Sequence, residues 1–395
     1  MFFAVKIAYI NADPDVPVFG TQGCSVHVQE MVLAMLKRGA EVHLFTTRLG
    51  EDIAHDVTAL QVHPLPRLTS KDAVSREESA LTLNITLRNA LAREAQKGKF
   101  DFIYERYSLW SCGAMEFARE QQTASVLEVN APLIDEGWSR RTLINRAAAE
   151  DVALRAFRSA TVIAAVSRQL ANLIEQYPSA RGRVRVVPNA VNLERFCDIQ
   201  PALARDHGFV VGFVGSLRSV QGFTSLIECF SRLAQQSATA RLLIVGDGPG
   251  REHLQREFGA RNLLSRIHFT GSVSPEAVPG YLASMDVAVA PYAPQANFYS
   301  SPLKIYEYMA AGLPIIASRI GQIEEVIQHE VTGLLIPPGD FAAFARALTD
   351  LQMNPEMRQR LGAAARAAVQ EHTWDHILEH VFSLAGIESI AEPVS

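Results

Sequence analysis

The run Phe209-Val210-Val211-Gly212-Phe213-Val214-Gly215 is apolar at every position, so it lacks the alternation of a strand with one wet face. It reads as a strand covered on both sides, the habit of parallel sheets. Residues 223–234 follow with helical spacing, and the scheme repeats outward. Residues 241–245, 267–269, 287–291 and 313–317 read as strands, with a helix at 250–258. Before it, residues 5–10, 42–46, 100–104, 125–129, 160–166 and 183–187 are strand-like, separated by helical patterns at 25–37, 76–97 and 168–177. Such alternation gives parallel sheets with helices on both faces. The expected class is α/β, with two doubly wound Rossmann-like domains at residues 1–200 and 201–375 and a linker at 198–206.

Composition narrows the function. The chain has 395 residues, 48% of them hydrophobic, enough for two cores. With 37 basic and 42 acidic side chains its formal charge is −5, which argues against a protein held by nucleic-acid phosphates. The acidic excess lies beyond residue 200. Cys24, Cys112, Cys197 and Cys229 form no C-x-x-C pair, so neither a zinc ribbon nor a disulfide framework is indicated and reduced cytosol fits. Residues 1–7 read as the first strand and not as a signal peptide, and no apolar run has membrane-spanning length. A soluble, cytoplasmic protein is expected.

Chemistry concentrates where a loop becomes a helix, at Tyr299-Ser300-Ser301-Pro302-Leu303-Lys304-Ile305-Tyr306-Glu307. Ser301 is suited to cap that helix and Pro302 to occupy its first position, leaving first-turn amides and the positive dipole end to meet an anion. Lys304 and Glu307, three residues apart, share a face: a cation beside a phosphate, and a carboxylate able to accept two ribose hydroxyls. The plainer alternative is an exposed ion pair contributing about 0.2–0.5 kcal/mol. Elsewhere Gly20-Thr21-Gln22-Gly23 forms a glycine loop between strand and helix, without the G-x-G-x-x-G spacing of dinucleotide enzymes. Glu105-Arg106-Tyr107 and Asn130-Ala131-Pro132-Leu133-Ile134-Asp135 sit past strand ends, where ligands bind in parallel sheets, and the alternative for Glu105 and Arg106 is a surface ion pair. Residues 61–76 read as a loop reaching an acceptor. Trp138, Arg140, Arg141 and Arg146, at the start of one long helix, offer aromatic and basic groups for an anionic lipid or phosphorylated acceptor, though a solvated face is the simpler reading. His376-Ile377-Leu378-Glu379-His380 matches the H-x-x-E-H zinc-peptidase pattern, but too few residues follow for a third ligand.

Ser301-Pro302-Leu303-Lys304, Glu307-Tyr308-Met309-Ala310 and Gly312-Leu313-Pro314 together resemble the donor-binding signature of the retaining GT-B glycosyltransferases of family 4. Pro188-Asn189-Ala190-Val191-Asn192, Gly215-Ser216-Leu217-Arg218, Val245-Gly246-Asp247-Gly248-Pro249, Gly271-Ser272-Val273 and Gly333-Leu334-Leu335-Ile336 fall in that family's order, so the resemblance covers nearly the whole chain. It implies a GT-B fold with a cleft between the domains and a final helix, residues 376–395, crossing back to the first. It further implies transfer of a sugar from a nucleotide-diphosphate sugar to a hydroxyl of a glycan, lipid-linked or small-molecule acceptor, with retention, without metal or other cofactor, and with room for weak peripheral membrane contact. Arg218, Lys304 and Glu307 take the catalytic places; Gly23, Gly215, Ser216, Gln221, Val273, Tyr299, Ser300, Ser301, Pro302 and Leu303 the donor site; Gly20, Glu105, Asn130 and Asp135 the acceptor side. Three positions depart from the family: Ser216 stands for an arginine, Gln221 for a lysine and Tyr299 for a glutamate. Each lost charge-assisted bond is worth about 1.5–3 kcal/mol, so two uncompensated losses slow transfer by roughly two to four orders of magnitude. The alternative this raises is a catalytically silent GT-B subunit that binds a nucleotide sugar or a partner transferase.

Overall fold

The structure is a computed structural model and describes residues 5–50, 59–70, 72–140, 142–204, 208–217, 222–295 and 297–387. The amino-terminal part runs β1 (Lys6–Asn11), α1 (Gly23–Lys37), β2 (Glu41–Thr46), β3 (Gln61–Pro64), α2 (Ala73–Ala95), β4 (Phe102–Arg106), α3 (Gly113–Glu120), β5 (Ala124–Val129), α4 (Leu133–Ser139), α5 (Arg146–Ser159), β6 (Val162–Ala165), α6 (Arg168–Ile174) and β7 (Val184–Val186). The second part runs β8 (Phe209–Val214), α7 (Phe223–Gln236), β9 (Ala240–Val245), α8 (Arg251–Ala260), β10 (Ile267–Phe269), α9 (Val278–Leu282), β11 (Val287–Ala290), α10 (Leu303–Ala310), β12 (Ile315–Ser318), α11 (Gln322–Val326), β13 (Leu334–Ile336), α12 (Phe341–Met353), α13 (Pro355–Ala368) and α14 (Trp374–Ala385).

Both sheets are parallel, ordered β3-β2-β1-β4-β5-β6-β7 and β10-β9-β8-β11-β12-β13. In each, the first strand has later strands on both sides, so the order reverses at β1/β4 and at β8/β11. Helices leave on opposite faces there, which opens a crevice past the strand ends. The loops after β1, β4, β8 and β11 are therefore the ones placed to build a site.

Apolar packing covers both faces of each sheet. Val211 and Phe213 of β8 point into one cluster with Phe230 and Phe258, whereas Val214 points into another with Tyr308 and Met309 of α10. The last helix belongs to the first domain: Trp374, Leu378, Val381 and Phe382 pack with Val28, Met31 and Met35 of α1. Phe382 meets the Phe102 ring edge-on at 5.3 Å, and Arg38 pairs with Glu379 at 2.5 Å. This helix begins at Trp374, and residues 388–395 lie outside the described chain.

Three segments differ from the sequence reading. The loop expected at 61–76 contains β3, which pairs with β2 from His43↔Gln61 to Thr46↔Pro64. The short alternating segment Gln61-Val62-His63-Pro64 gives little strand signal, and its place is fixed by the neighbouring strand: His43 Nδ1 and His63 Nε2 are 2.9 Å apart. The one long helix expected to start around Trp138 is two, α4 and α5, with Asn145 capping the second through Ala148 N–H. Finally, Glu105 and Arg106 end β4 and do not lie beyond it, so alternation sends them to opposite faces.

Candidate active site

A cleft of about 410 Å³ lies between the two sheets' switch points. Its first wall comes from the loop after β1 and the start of α1 (Thr21, Gln22, Gly23, His27), the end of β4 (Arg106) and the residue after β5 (Asn130). The opposite wall comes from Gly215 and Ser216 after β8, Ser272 and Val273 after β10, and Ser300, Ser301, Pro302, Leu303, Lys304 and Glu307 at the mouth of α10.

Lys304 and Glu307 face this cleft together, as their spacing requires. The Lys304 Nζ lies 4.2 Å above the centre of the Phe213 ring and 5.8 Å from that of Tyr292. Burial pushes its amine down to about 7, against the pull of Glu307. Gly215, with φ of +144°, is the neighbour that leaves room: a Cβ there would stand 2.8 Å from Nζ. Burial also raises the Glu307 carboxyl above its usual range; Arg195 Nη1, 4.0 Å away, and Lys304 oppose this, while Glu30 adds to it. Neither group is exposed: a buried Lys304 and a half-buried Glu307, displaced in opposite directions, open onto a cavity, a pattern typical of binding and catalytic sites.

Ser301 does not cap α10. Its hydroxyl instead accepts the Asn189 backbone N–H at 3.0 Å and its carbonyl accepts the Asn189 side-chain amide at 2.6 Å, so Pro302 takes the cap position in place of the first helical one. No side chain caps the helix, and its amino end is left to the cleft.

Other expected residues fall elsewhere. Tyr299 packs its ring against the core of the first domain, and its carbonyl accepts the Ser167 hydroxyl at 2.6 Å; it does not line the cleft. Glu105 is fully buried on the far face of β4 beside the Ser111 hydroxyl, with its carboxyl raised to about 7 by burial. This removes both the acceptor role expected for it and the surface ion-pair alternative; Arg106, its neighbour, is the one that reaches the cleft. Asp135 is exposed on α4 and pairs with Arg146 at 3.1 Å, away from the cleft wall, and Gly20 lies just outside, its carbonyl accepting from Gln29 at 3.0 Å. Arg218, Gln221 and Arg141 lie outside the described residues. His376 and His380 are exposed, and Glu379 is taken by Arg38, so the H-x-x-E-H spacing marks a solvated helix face.

Three side chains were not singled out by the sequence reading. Arg195 bridges Glu30 at 3.2 Å and Glu307 at 4.0 Å. His27 is buried with Nε2 2.5 Å from Glu128 Oε1 and Nδ1 2.8 Å from Asn189 Oδ1. Asn189 completes the set. The available signal was helical spacing: His27 lies four residues after Gly23, hence on the same cleft-facing side of α1.

Comparison with known proteins agrees with this architecture. The model of Glycosyltransferase Family 4 matches residues 21–195 and that of Glycosyl transferases group 1 matches residues 208–354. The D-inositol 3-phosphate glycosyltransferase of Salinispora tropica is 25% identical over 410 residues, covering 94% of this chain and 82% of its own. The sucrose-phosphate synthase of Thermosynechococcus elongatus has a TM-score of 0.74 at 21% identity over 96% of this chain and 98% of that one. Anabaena HepE in complex with UDP has a TM-score of 0.69 at 17% identity over 97% and 100%. The fold is GT-B and the protein a glycosyltransferase. The chain belongs to the group 1, family 4 glycosyltransferases.

Proposed function

We propose that the cleft moves a sugar from a nucleotide-diphosphate sugar to an acceptor hydroxyl with retention of anomeric configuration and without a metal ion. The observation that carries this reading is the joint presentation of Lys304, Glu307 and the uncapped amino end of α10 on one cleft wall. The leaving diphosphate develops negative charge, and fixed donors in a water-poor site stabilise it most effectively. First-turn amides and Lys304 meet the phosphates; Glu307, one turn deeper, takes the ribose hydroxyls; Gly215 and Ser216 let the nucleotide approach, and Val273 flanks it. A diphosphate beside Lys304 restores the amine's full charge, so the cation strengthens as the donor arrives.

The acceptor enters from the first wall, past Arg106 and Asn130. Asn130 positions a hydroxyl and cannot serve as a base, which suits attack on the face from which the diphosphate leaves. UDP, bound in the HepE structure, is the first nucleotide to try here. A cyclitol or sugar hydroxyl is the first acceptor class, by analogy with the inositol-phosphate relative. Turnover of UDP-, GDP- and ADP-sugars, with and without a chelator, tests the reading: product unaffected by EDTA supports it, and strict dependence on magnesium or manganese overturns the metal-free site.

A further inference from the structure

His27 has an oxygen at each ring nitrogen, Glu128 Oε1 at 2.5 Å and Asn189 Oδ1 at 2.8 Å. The amide of Asn189 cannot be turned to relieve this, because its nitrogen donates to the Ser301 carbonyl at 2.6 Å. Both contacts are favourable only when both ring nitrogens carry hydrogen, since a bare nitrogen facing an oxygen sets lone pair against lone pair. The Glu128 carboxyl fits a cationic partner: burial pushes it up, yet the ring, with Arg106 and Asn130, brings it below the usual range.

The chain of contacts crosses the molecule. Glu128 ends β5, His27 lies in α1, Asn189 belongs to the segment leaving the first domain, and Ser301 stands at the mouth of α10. Trp374 of the returning helix meets the ring edge-on at 4.8 Å. Charged and titratable groups around the ring are few. Glu128 touches it directly; Arg106, 3.9 Å from Glu128, and Tyr9 and Tyr104 act through that carboxylate; α14 presents the uncharged Trp374.

We infer that His27 is a positioning residue that fixes the donor end of α10 through Asn189 and Ser301. The inference rests on reading the α10 mouth as the donor site. It deepens that reading, because it makes donor affinity, and not acceptor affinity, the quantity governed from the opposite domain.

Two measurements on the full chain test it. In ¹⁵N-histidine NMR spectra of the wild type, His27, assigned by its absence in His27→Gln, should show hydrogen on the ring nitrogen that faces Asn189 Oδ1. An Nδ1 without hydrogen overturns the inference without reference to any ligand. Calorimetry with whichever of UDP, GDP and ADP the wild type binds best should show binding weakened about tenfold in His27→Gln. It should be weakened similarly in Ser301→Ala, and little further in the double variant, as expected of groups acting as a unit. Unchanged affinity in His27→Gln alongside a large loss in Lys304→Ala would sink the His27 link and leave the donor site standing. Unchanged affinity in both would sink the donor site, with the ring spectra still judging the contact.

Discussion

Lys304 lies 4.2 Å from the Phe213 ring and has an amine lowered to about 7 by burial, so its charge depends on what shares the cavity with it. A diphosphate raises that value, and at pH 8 donor binding should therefore take up a substantial fraction of a proton, up to about one. Calorimetry in buffers of different ionisation enthalpy reads this number directly; proton release on binding would contradict the assignment. Lys304→Ala and Glu307→Ala should each lower turnover at least tenfold, about 1.4 kcal/mol or more in transition-state stabilisation. Gly215→Ala should weaken nucleotide binding without touching the acceptor side, because its methyl group would stand 2.8 Å from the Lys304 Nζ and φ of +144° disfavours any side chain. That Lys304 and Glu307 share a helix face was legible from their spacing, but that this face is a cleft wall and not a solvated one was expected only from the resemblance. The orientation of Tyr299 and Ser301 was not legible, because each is decided by a contact distant in sequence, Ser167 for the first and Asn189 for the second; that of Glu105 was not, because it depends on β4 running on to Arg106.

At the scale of elements, central strands such as β8 and β11 could be read because they are continuous apolar runs covered on both faces, whereas β3 is short, half-exposed and defined by its neighbour. Helix α14 shows the same division. Trp374, Ile377, Leu378 and Val381 form its apolar face and pack with residues of α1, whereas a crossing back to the first domain was expected from the resemblance and not from the helix's own residues. Leu378 is fully buried there, so Leu378→Ala should cost about 2–5 kcal/mol. Thr373 caps the helix through His376 N–H at 3.3 Å, and Thr373→Ala should cost about 1 kcal/mol. Chemical denaturation separates the two; equal, negligible losses would mean α14 is not docked as described.

Across the whole molecule, the two domains meet through polar contacts that converge near the cleft. Besides the Asn189–Ser301 pair, Gln322 donates to the Val166 carbonyl at 2.8 Å, Ser167 to Tyr299, and Thr21 and Ser272 oxygens lie 3.0 Å apart across the opening. Closure of the two domains on the donor is what the fold leads one to expect, and contacts of this kind are what such a movement would make and break. The structure with a nucleoside diphosphate tests the central claim most directly. The account predicts both phosphates against the amides that open α10, within hydrogen-bond reach of the Lys304 ammonium, with the ribose hydroxyls on Glu307 and no metal between. Phosphorus atoms lodged away from Lys304, or bridged to the protein by a divalent cation, would contradict it.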